Sequence, residues 1–168
     1  MGARLLSICA AGLLVSGCFK EKPRDQSAEA AKQIRQLFDN WAKAFDAKNV
    51  DGVMVMYAPT VTAFDIVPPL QFRGADAYRK DYSEFFGQFS GPVHVETPDM
   101  QIQVSGDTAF AYGLERLTGT TTKGDAVDMW LRYTEGLKRI DGQWRVVHEH
   151  ISVPADMATG KAVMNLKP

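Results

Sequence analysis

The side chains with the clearest potential for chemistry are clustered near the C-terminal end of the chain. His148 and His150, two of three histidines, flank Glu149 there. Side chains alternate along a strand, so the two histidines share one face and Glu149 occupies the other. Their Cα atoms would be roughly 7 Å apart, which suits shared metal ligation only with a third ligand such as His94 or Asp65. The alternative is a role in a sheet face or dimer contact, and no metal site is predicted.

The histidines belong to a predicted hairpin, Ala126 to Pro154, whose strands meet at Asp141-Gly142. This dipeptide is typical of tight hairpin turns. A two-residue turn places Glu135 opposite His148, an acid–imidazole pair. A three-residue turn with a bulge places Glu135 opposite Glu149 instead, and two neighbouring carboxyls need a cation or a raised pKa. The sequence leaves both registers open.

Two further charged residues lie in apolar surroundings. Arg132 lies in a largely apolar part of the first strand of the hairpin. A buried arginine must be paired, so it either forms an ion pair with Glu149 or Asp128 or binds an anionic ligand. The ion pair is the preferred interpretation. Asp65 occupies an inward position near the end of a predicted strand, before Pro68-Pro69. It is either a pocket acid or base, or a turn carboxylate bonded to nearby backbone.

The helices and strands that position these residues are predicted from the spacing of apolar side chains, which changes along the chain. A helix starting near Ser27 has an apolar stripe at helical spacing, which consists of Ile34, Leu37, Phe38, Trp41 and Phe45. Asn49 is predicted to cap a shorter helix that Pro59 ends, and an aromatic third helix follows over residues 74–89. From Val93 onward the pattern is that of antiparallel strands. The order predicts an α+β fold, three N-terminal helices packed on one bent antiparallel sheet.

The N-terminus has the character of a lipoprotein leader. Arg4 precedes a short apolar run, and Val15-Ser16-Gly17-Cys18 resembles a bacterial lipobox. Residues 1–17 are therefore predicted to be a signal peptide and Cys18 the lipidated residue, with membrane attachment through that lipid. The alternative is an ordinary signal peptide with an incidental cysteine. Because Phe19 rather than Asp follows Cys18, an outer-membrane location facing the periplasm is predicted.

Residues 18–27 then form a polar tether, residues 28–154 the domain, and residues 155–168 a C-terminal tail. The chain has 168 residues, two cysteines and a formal net charge of −1. With Cys9 removed and Cys18 lipidated, the mature domain would have no thiol for a disulfide or a zinc site. The near-neutral charge offers no basis for binding nucleic acid. No nucleotide motif is present and no cofactor is predicted.

This order of elements, with GDTAFAYG at 106–113 and DGQWRVVHEHISVP at 141–154, resembles the SnoaL-like group. That group belongs to the nuclear-transport-factor-2-like superfamily, which also contains ketosteroid isomerase. The resemblance implies a cone-shaped fold with a pocket between helices and sheet, a small-molecule ligand, and a homodimer through the sheet. The motifs that carry the resemblance are specific for the fold and not for the function, because one conical pocket hosts many activities.

The resemblance to ketosteroid isomerases extends to single residues. Asp65 matches the general base, Glu135 the protonated carboxylic acid, and Trp41 the tyrosine that stabilises the oxyanion. Tyr57 and Tyr82 match pocket tyrosines, and the comparison also favours Glu149 on the pocket face. Two departures weigh against steroid isomerisation itself: Trp41 supplies an indole instead of a phenol, and Ile66 replaces a proline.

Three functions remain as hypotheses. The first is a lipid-anchored domain that binds a small, largely apolar molecule among Trp41, Tyr57, Tyr82 and the polar groups Arg132, His148, Glu149 and His150. The second is an enzyme of the ketosteroid-isomerase kind that uses Asp65 and Glu135 for proton abstraction, isomerisation or dehydration. The third is a non-catalytic oligomerisation module.

Overall fold

The computed structural model describes residues 26–168. The predicted signal peptide, most of the tether and Cys18 lie outside the described residues. Within the part that is described, no helix combines the length and the apolar character needed to cross a membrane.

Three helices pack on one side of the sheet: α1 (Gln26–Asp46), α2 (Val50–Met54) and α3 (Ala75–Gly87). The predicted stripe of α1 is the face that it buries, and Ile34 is fully enclosed. Asn49 caps α2 as predicted, because its side-chain Oδ1 accepts a hydrogen bond from the Gly52 amide at 3.0 Å. The aromatic face of α3 buries Tyr78, Tyr82 and Phe86.

Seven strands form a single sheet. They are β1 (Tyr57–Phe64), β2 (Phe72–Arg73), β3 (Phe89–Glu96), β4 (Gln101–Ser105), β5 (Thr108–Thr121), β6 (Ala126–Ile140) and β7 (Gln143–Ser152). Their order is β2-β1-β7-β6-β5-β3, and β4 pairs with the first part of β5. The predicted α+β layout, with helices on a bent sheet, is confirmed. One pairing departs from the antiparallel expectation, because β1 and β7 run parallel.

The first strand begins earlier than the sequence predicts. The prediction that Pro59 ends a helix is wrong, since α2 ends at Met54 and Pro59 lies within β1. The register between β1 and β7 shifts between Tyr57 and Thr62. Pro59 falls in this irregular stretch, where its missing amide hydrogen removes no regular ladder bond.

The β6–β7 hairpin combines features of both predicted registers. Its tip is a two-residue turn, with Ile140 opposite Gln143 and positive φ angles of 50° at Asp141 and 78° at Gly142. A bulge then leaves Val147 without a partner, because Leu137 lies opposite Val146 but Gly136 lies opposite His148. Beyond the bulge, Glu135 lies opposite Glu149.

The last segment of the chain, residues 155–168, runs back along the domain. Ala155 and Ala162 form an isolated bridge, and the Lys167 ammonium lies 3.1 Å from the Asp128 carboxylate. The predicted tail is therefore in contact with the outward face of β6.

Candidate functional site

A cavity of about 390 Å³ lies between the helices and the concave face of the sheet. Its wall is largely aromatic, with Trp41, Phe45, Tyr78, Tyr82, Phe85 and Phe89 among the lining residues. Six acidic side chains also line it: Asp65, Asp81, Glu84, Glu115, Glu135 and Glu149. Among the described residues, the lining includes no lysine, arginine or histidine. The cavity is thus an apolar space whose ionisable groups are carboxyls and tyrosines.

Two of these acids, Glu135 and Glu149, lie side by side on β6 and β7. Only 4% of Glu135 and 2% of Glu149 is exposed. Burial raises the pKa of Glu149 to about 7, although hydrogen bonds from Tyr57 and Tyr78 act in the opposite direction. Burial, and then the charge of Glu149, raise the pKa of Glu135 well above its usual range. The pair therefore tends to hold at least one proton at neutral pH, as two adjacent buried carboxyls should.

The hydroxyl of Tyr78 joins two of the acids. It donates a hydrogen bond to Glu149 Oε1 and lies 3.1 Å from Asp65 Oδ2. A phenol has one proton, so simultaneous bonds to both carboxyls require one acid to be protonated and to donate to the phenol oxygen. Burial also raises the pKa of Asp65 above its ordinary value. Asp65, Tyr78 and Glu149 thus form a continuous path along which a proton can move.

Asp65 has both predicted features, because it is a carboxyl of the pocket and is also hydrogen-bonded to nearby backbone. It follows the last residue of β1, and its Oδ1 accepts a hydrogen bond from the Ile66 amide at 2.6 Å. The other oxygen faces Tyr78, and the residue lines the cavity. The carboxyl is therefore oriented by local backbone and presented to the pocket.

Two further tyrosines, Tyr57 and Tyr82, pack against the ring of Tyr78. The Tyr57 and Tyr82 hydroxyls are 2.6 Å apart, and the Tyr57 and Tyr78 rings meet edge to face at 5.2 Å between centroids. Burial, followed by the charge of Glu149, raises the pKa of all three phenols well above the usual value. They act as neutral hydrogen-bond donors throughout the physiological range.

Five ionisable residues that line the cavity were not predicted as site residues, namely Tyr78, Asp81, Glu84, Glu115 and Tyr133. Glu115 is 8% exposed, and burial, then the charges of Glu149 and Asp65, raise its pKa to about 8. Burial, then the charges of Asp65 and Glu84, raise the pKa of Asp81 to about 6. A signal for Glu115 was present, because it shares the inward phase of β5 with Ala111 and Leu117. Tyr78 belongs to the third helix, whose aromatic character was predicted without any role for this residue in the site.

The predicted site residues divide between the two faces of the sheet. Trp41, Asp65, Tyr82, Glu135 and Glu149 line the cavity, and Tyr57 is buried behind Tyr82. Arg132, His148 and His150 lie on the convex face, away from the cavity. Their predicted place among the pocket residues is therefore corrected. For the histidines the reason is the bulge at Val147, which shifts the alternation after the inward-facing Val146 by one residue and turns both side chains outward. Arg132 points outward because it alternates with the buried Leu131 and Tyr133 on β6.

On the convex face, the environments of these three residues are simple. The His148 Nδ1 lies 2.9 Å from the Thr62 carbonyl oxygen, and Phe64 contacts both histidine rings. Arg132 lies opposite Ser152, so neither of its predicted partners is adjacent: Glu149 points to the other face, and Asp128 pairs with Arg116 at 2.9 Å. Residues 26–168 contain no cluster of three or more histidine, cysteine, aspartate or glutamate side chains suited to a metal ion.

Comparison with known proteins places this geometry in context. A family model described as a SnoaL-like domain matches residues 34–156. The structure is similar to that of an NTF2-like protein of unknown function from Pseudomonas putida KT2440, with 36% sequence identity and a TM-score of 0.77. That match covers 84% of this chain and 99% of the other.

More distant structures share the fold. A ketosteroid isomerase-like protein from Erwinia carotovora atroseptica has 19% identity and a TM-score of 0.64, over 74% of this chain and 95% of that one. An NTF2-like superfamily protein from Salmonella enterica serovar Typhimurium has 18% identity and a TM-score of 0.70, over 81% and 99%. The comparison with curated proteins finds no match.

Proposed function

The chain belongs to the family of SnoaL-like domains, and from that premise we propose that it binds a small, largely apolar molecule in its conical cavity. The observation that carries the proposal is the cavity of about 390 Å³ with an aromatic wall and a few convergent polar groups. Binding sites for small molecules typically have this size and this composition. The burial of several carboxyls in one place lowers stability, and it favours a use of that place in function.

Native mass spectrometry of the full-length chain tests this proposal. Val127 lines the cavity from β6, so Val127→Trp should narrow the space and displace a co-purifying molecule. Thr120→Trp adds the same side chain at an exposed position of β5 and is the matched control. We expect a small-molecule adduct on the wild type and on Thr120→Trp, and its loss from Val127→Trp. Equal occupancy in all three proteins would contradict binding in this cavity.

We further propose that the domain is tethered to the bacterial cell envelope by lipid at Cys18, in the outer membrane and facing the periplasm. The support is the leader sequence, in which small residues precede Cys18 after a short apolar run. Metabolic labelling with a clickable fatty acid should mark the wild-type chain and spare Cys18→Ser. Equal labelling of the two proteins would overturn the lipid anchor without affecting the binding proposal.

The second candidate is an enzyme that transfers protons to and from the bound molecule. It is favoured by the Asp65–Tyr78–Glu149 path and by the pKa of about 7 for Glu149, since general acids and bases work best near the operating pH. In this role the Asp65 carboxylate takes a proton from carbon beside a carbonyl group. The protonated Glu135 donates a hydrogen bond to the oxygen of the resulting enolate.

Exchange of the α-protons of 2-tetralone in D₂O, followed by NMR, tests the enzymatic role. The wild-type chain should accelerate exchange and Asp65→Asn should abolish that acceleration, because the amide keeps the shape but cannot accept the proton. Asp99→Asn, in an exposed turn, is the control and should behave as wild type. If Asp65→Asn retains full exchange while remaining folded by thermal melting, Asp65 is not the base.

A further inference from the structure

We propose that the molecule bound in this cavity is an organic amine, held as its ammonium ion by Glu135, Glu149 and Glu115. Its apolar body would lie against the aromatic wall formed by Trp41 and the phenylalanines. The inference rests on the proposed binding function and goes further by assigning the chemical class of the ligand.

The first support is the unused hydrogen-bonding capacity of two buried carboxyls. With both acids ionised, Glu135 Oε2 and Glu149 Oε2 are enclosed and receive no hydrogen bond. When one acid is protonated, its proton can join the two side chains through a single hydrogen bond, but it brings no positive charge and no second donor. An alkylammonium group carries up to three donors and a full positive charge, so it can replace that proton and pair with both side chains.

The second support is the sign of the charge around the cavity. Within the described part of the chain, every ionisable group on its wall is an acid or a phenol. Asp81 and Glu84 of α3 add to the negative potential. A carboxylate or phosphate ligand would be repelled here, because no side chain of the wall could neutralise it. A cation, in contrast, offsets the cost of burying the carboxylates.

The third support is the wall itself. Trp41 and Phe45 meet at 5.0 Å between ring centroids, and Phe45 continues the contact to Phe85 at 5.7 Å. Aromatic faces attract cations and also accept the apolar body of a ligand. A volume of about 390 Å³ accommodates an amine with one or two rings.

Proton release accompanies such binding. Burial raises the pKa of Glu115 to about 8 and that of Glu149 to about 7, so both are partly protonated at neutral pH. A bound ammonium ion favours the ionised carboxylates and lowers these pKa values. Affinity for the amine should therefore increase with pH through this range, until the amine itself loses its proton.

Three probes of equal shape test the inference on the full-length chain: 2-naphthylmethylamine, 2-naphthylmethanol and 2-naphthoate. We expect isothermal titration calorimetry to show the amine binding about tenfold or more tightly than the alcohol, with 2-naphthoate weakest. Amine affinity should rise between about pH 6 and about pH 8, with proton release to the buffer, while alcohol affinity stays constant.

Substitutions of Glu135 and Glu149 test whether these two side chains hold the ammonium group. Glu135→Gln and Glu149→Gln should each weaken the amine about tenfold or more and leave the alcohol within about twofold. Retained alcohol binding shows that the variant cavity is folded. Glu96→Gln removes an exposed acid from the other face of β3 and should bind the amine as wild type does.

The outcomes separate the two proposals. If the alcohol or 2-naphthoate binds as tightly as the amine, or if both glutamine variants bind the amine unchanged, the amine assignment is overturned and the cavity remains a binding site. If none of the three probes binds and no adduct co-purifies, both proposals fall.

Discussion

On the two faces of the central sheet, the pKa values of carboxyl groups are shifted in opposite directions. On the concave face, burial raises the pKa of Glu149 to about 7. On the convex face, Asp128 bonds to Arg116 and Lys167, and these hydrogen bonds lower its pKa to about 2. Both residues lie on neighbouring strands of one hairpin. The comparison shows that the environment, and not the residue type, determines which carboxyls can exchange a proton near neutral pH.

The faces also differ in how they treat apolar groups. The concave face encloses its aromatic side chains around the cavity, whereas the convex face leaves Phe64, Phe110 and Tyr112 partly exposed, at 39%, 43% and 38%. Phe110 and Tyr112 stack on each other with 5.7 Å between ring centroids. We propose that this face, together with the outward side of the β6–β7 hairpin, forms the contact of a homodimer, because exposed aromatic patches are characteristic of interaction surfaces.

The largest contrast between the faces is expected from neighbouring residues of β6. Leu137 points inward and is 2% exposed, whereas Lys138 points outward. Leu137→Ala should lower the free energy of unfolding by about 2–5 kcal/mol, since it removes core contacts and leaves a cavity. Lys138→Ala should change it by about 0.5 kcal/mol or less. Urea unfolding of the two variants measures the difference, and similar values would contradict the assignment of the faces.

The acids of the two faces should give opposite pH dependences. Glu149 and Glu115 have raised pKa values in the folded state, so the stability they contribute is fully present below their unfolded pKa of about 4.3. That contribution is lost as the pH rises through about 7 to 8. Asp128 has a lowered pKa, so its contribution is present above about pH 4 and lost as the pH falls towards 2.

Chemical denaturation across this pH range, with one variant for each face, separates the two contributions. In Glu115→Gln, the free energy of unfolding should fall less between about pH 5 and about pH 8 than it does in the wild type. In Asp128→Asn, only the fall in this free energy between about pH 4 and about pH 2 should become smaller. A wild-type stability that does not fall between about pH 5 and about pH 8 would show that the concave acids ionise freely.

The proposed dimer provides a third test of the comparison. Phe110→Glu places a charge in the exposed aromatic patch and should raise the dimer dissociation constant by about tenfold or more. Sedimentation of the wild type at tens of micromolar should show a dimer, and the variant should shift towards monomer. Thr122→Glu, in the exposed turn between β5 and β6, makes the same change in net charge and is the control. A wild type that sediments only as a monomer would refute the dimer.

The smallest effects are expected from the outward histidines. His148→Ala removes the contact with the Thr62 carbonyl and should cost about 0.5–1.5 kcal/mol, while the exposed His150→Ala should be nearly neutral. Neither change should alter binding of 2-naphthylmethylamine or proton exchange by more than about twofold. A tenfold loss in either assay would place these histidines back in the functional site.

Several elements of the site could be predicted from local sequence. The cap at Asn49, the apolar stripe of α1 and the turn at Asp141-Gly142 depend on residues within one or two turns of each other. The resemblance to isomerases then singled out Asp65, Glu135 and Glu149, and all three line the cavity. The involvement of Tyr78 could not be read in this way, because a buried tyrosine on a helix looks the same whether it fills a core or bridges two acids.

By itself, the sequence determined the period of most elements, the order of helices and strands, and the aromatic character of the pocket. Only the tertiary structure decided which face each residue of β7 occupies, because the bulge at Val147 shifts the alternation by one residue. It also decided the parallel pairing of β1 with β7, which brings Asp65 near Glu149 through Tyr78. That parallel pairing joins strands that are more than 80 residues apart in the chain, and its register is set by the packing of the whole sheet on its helices.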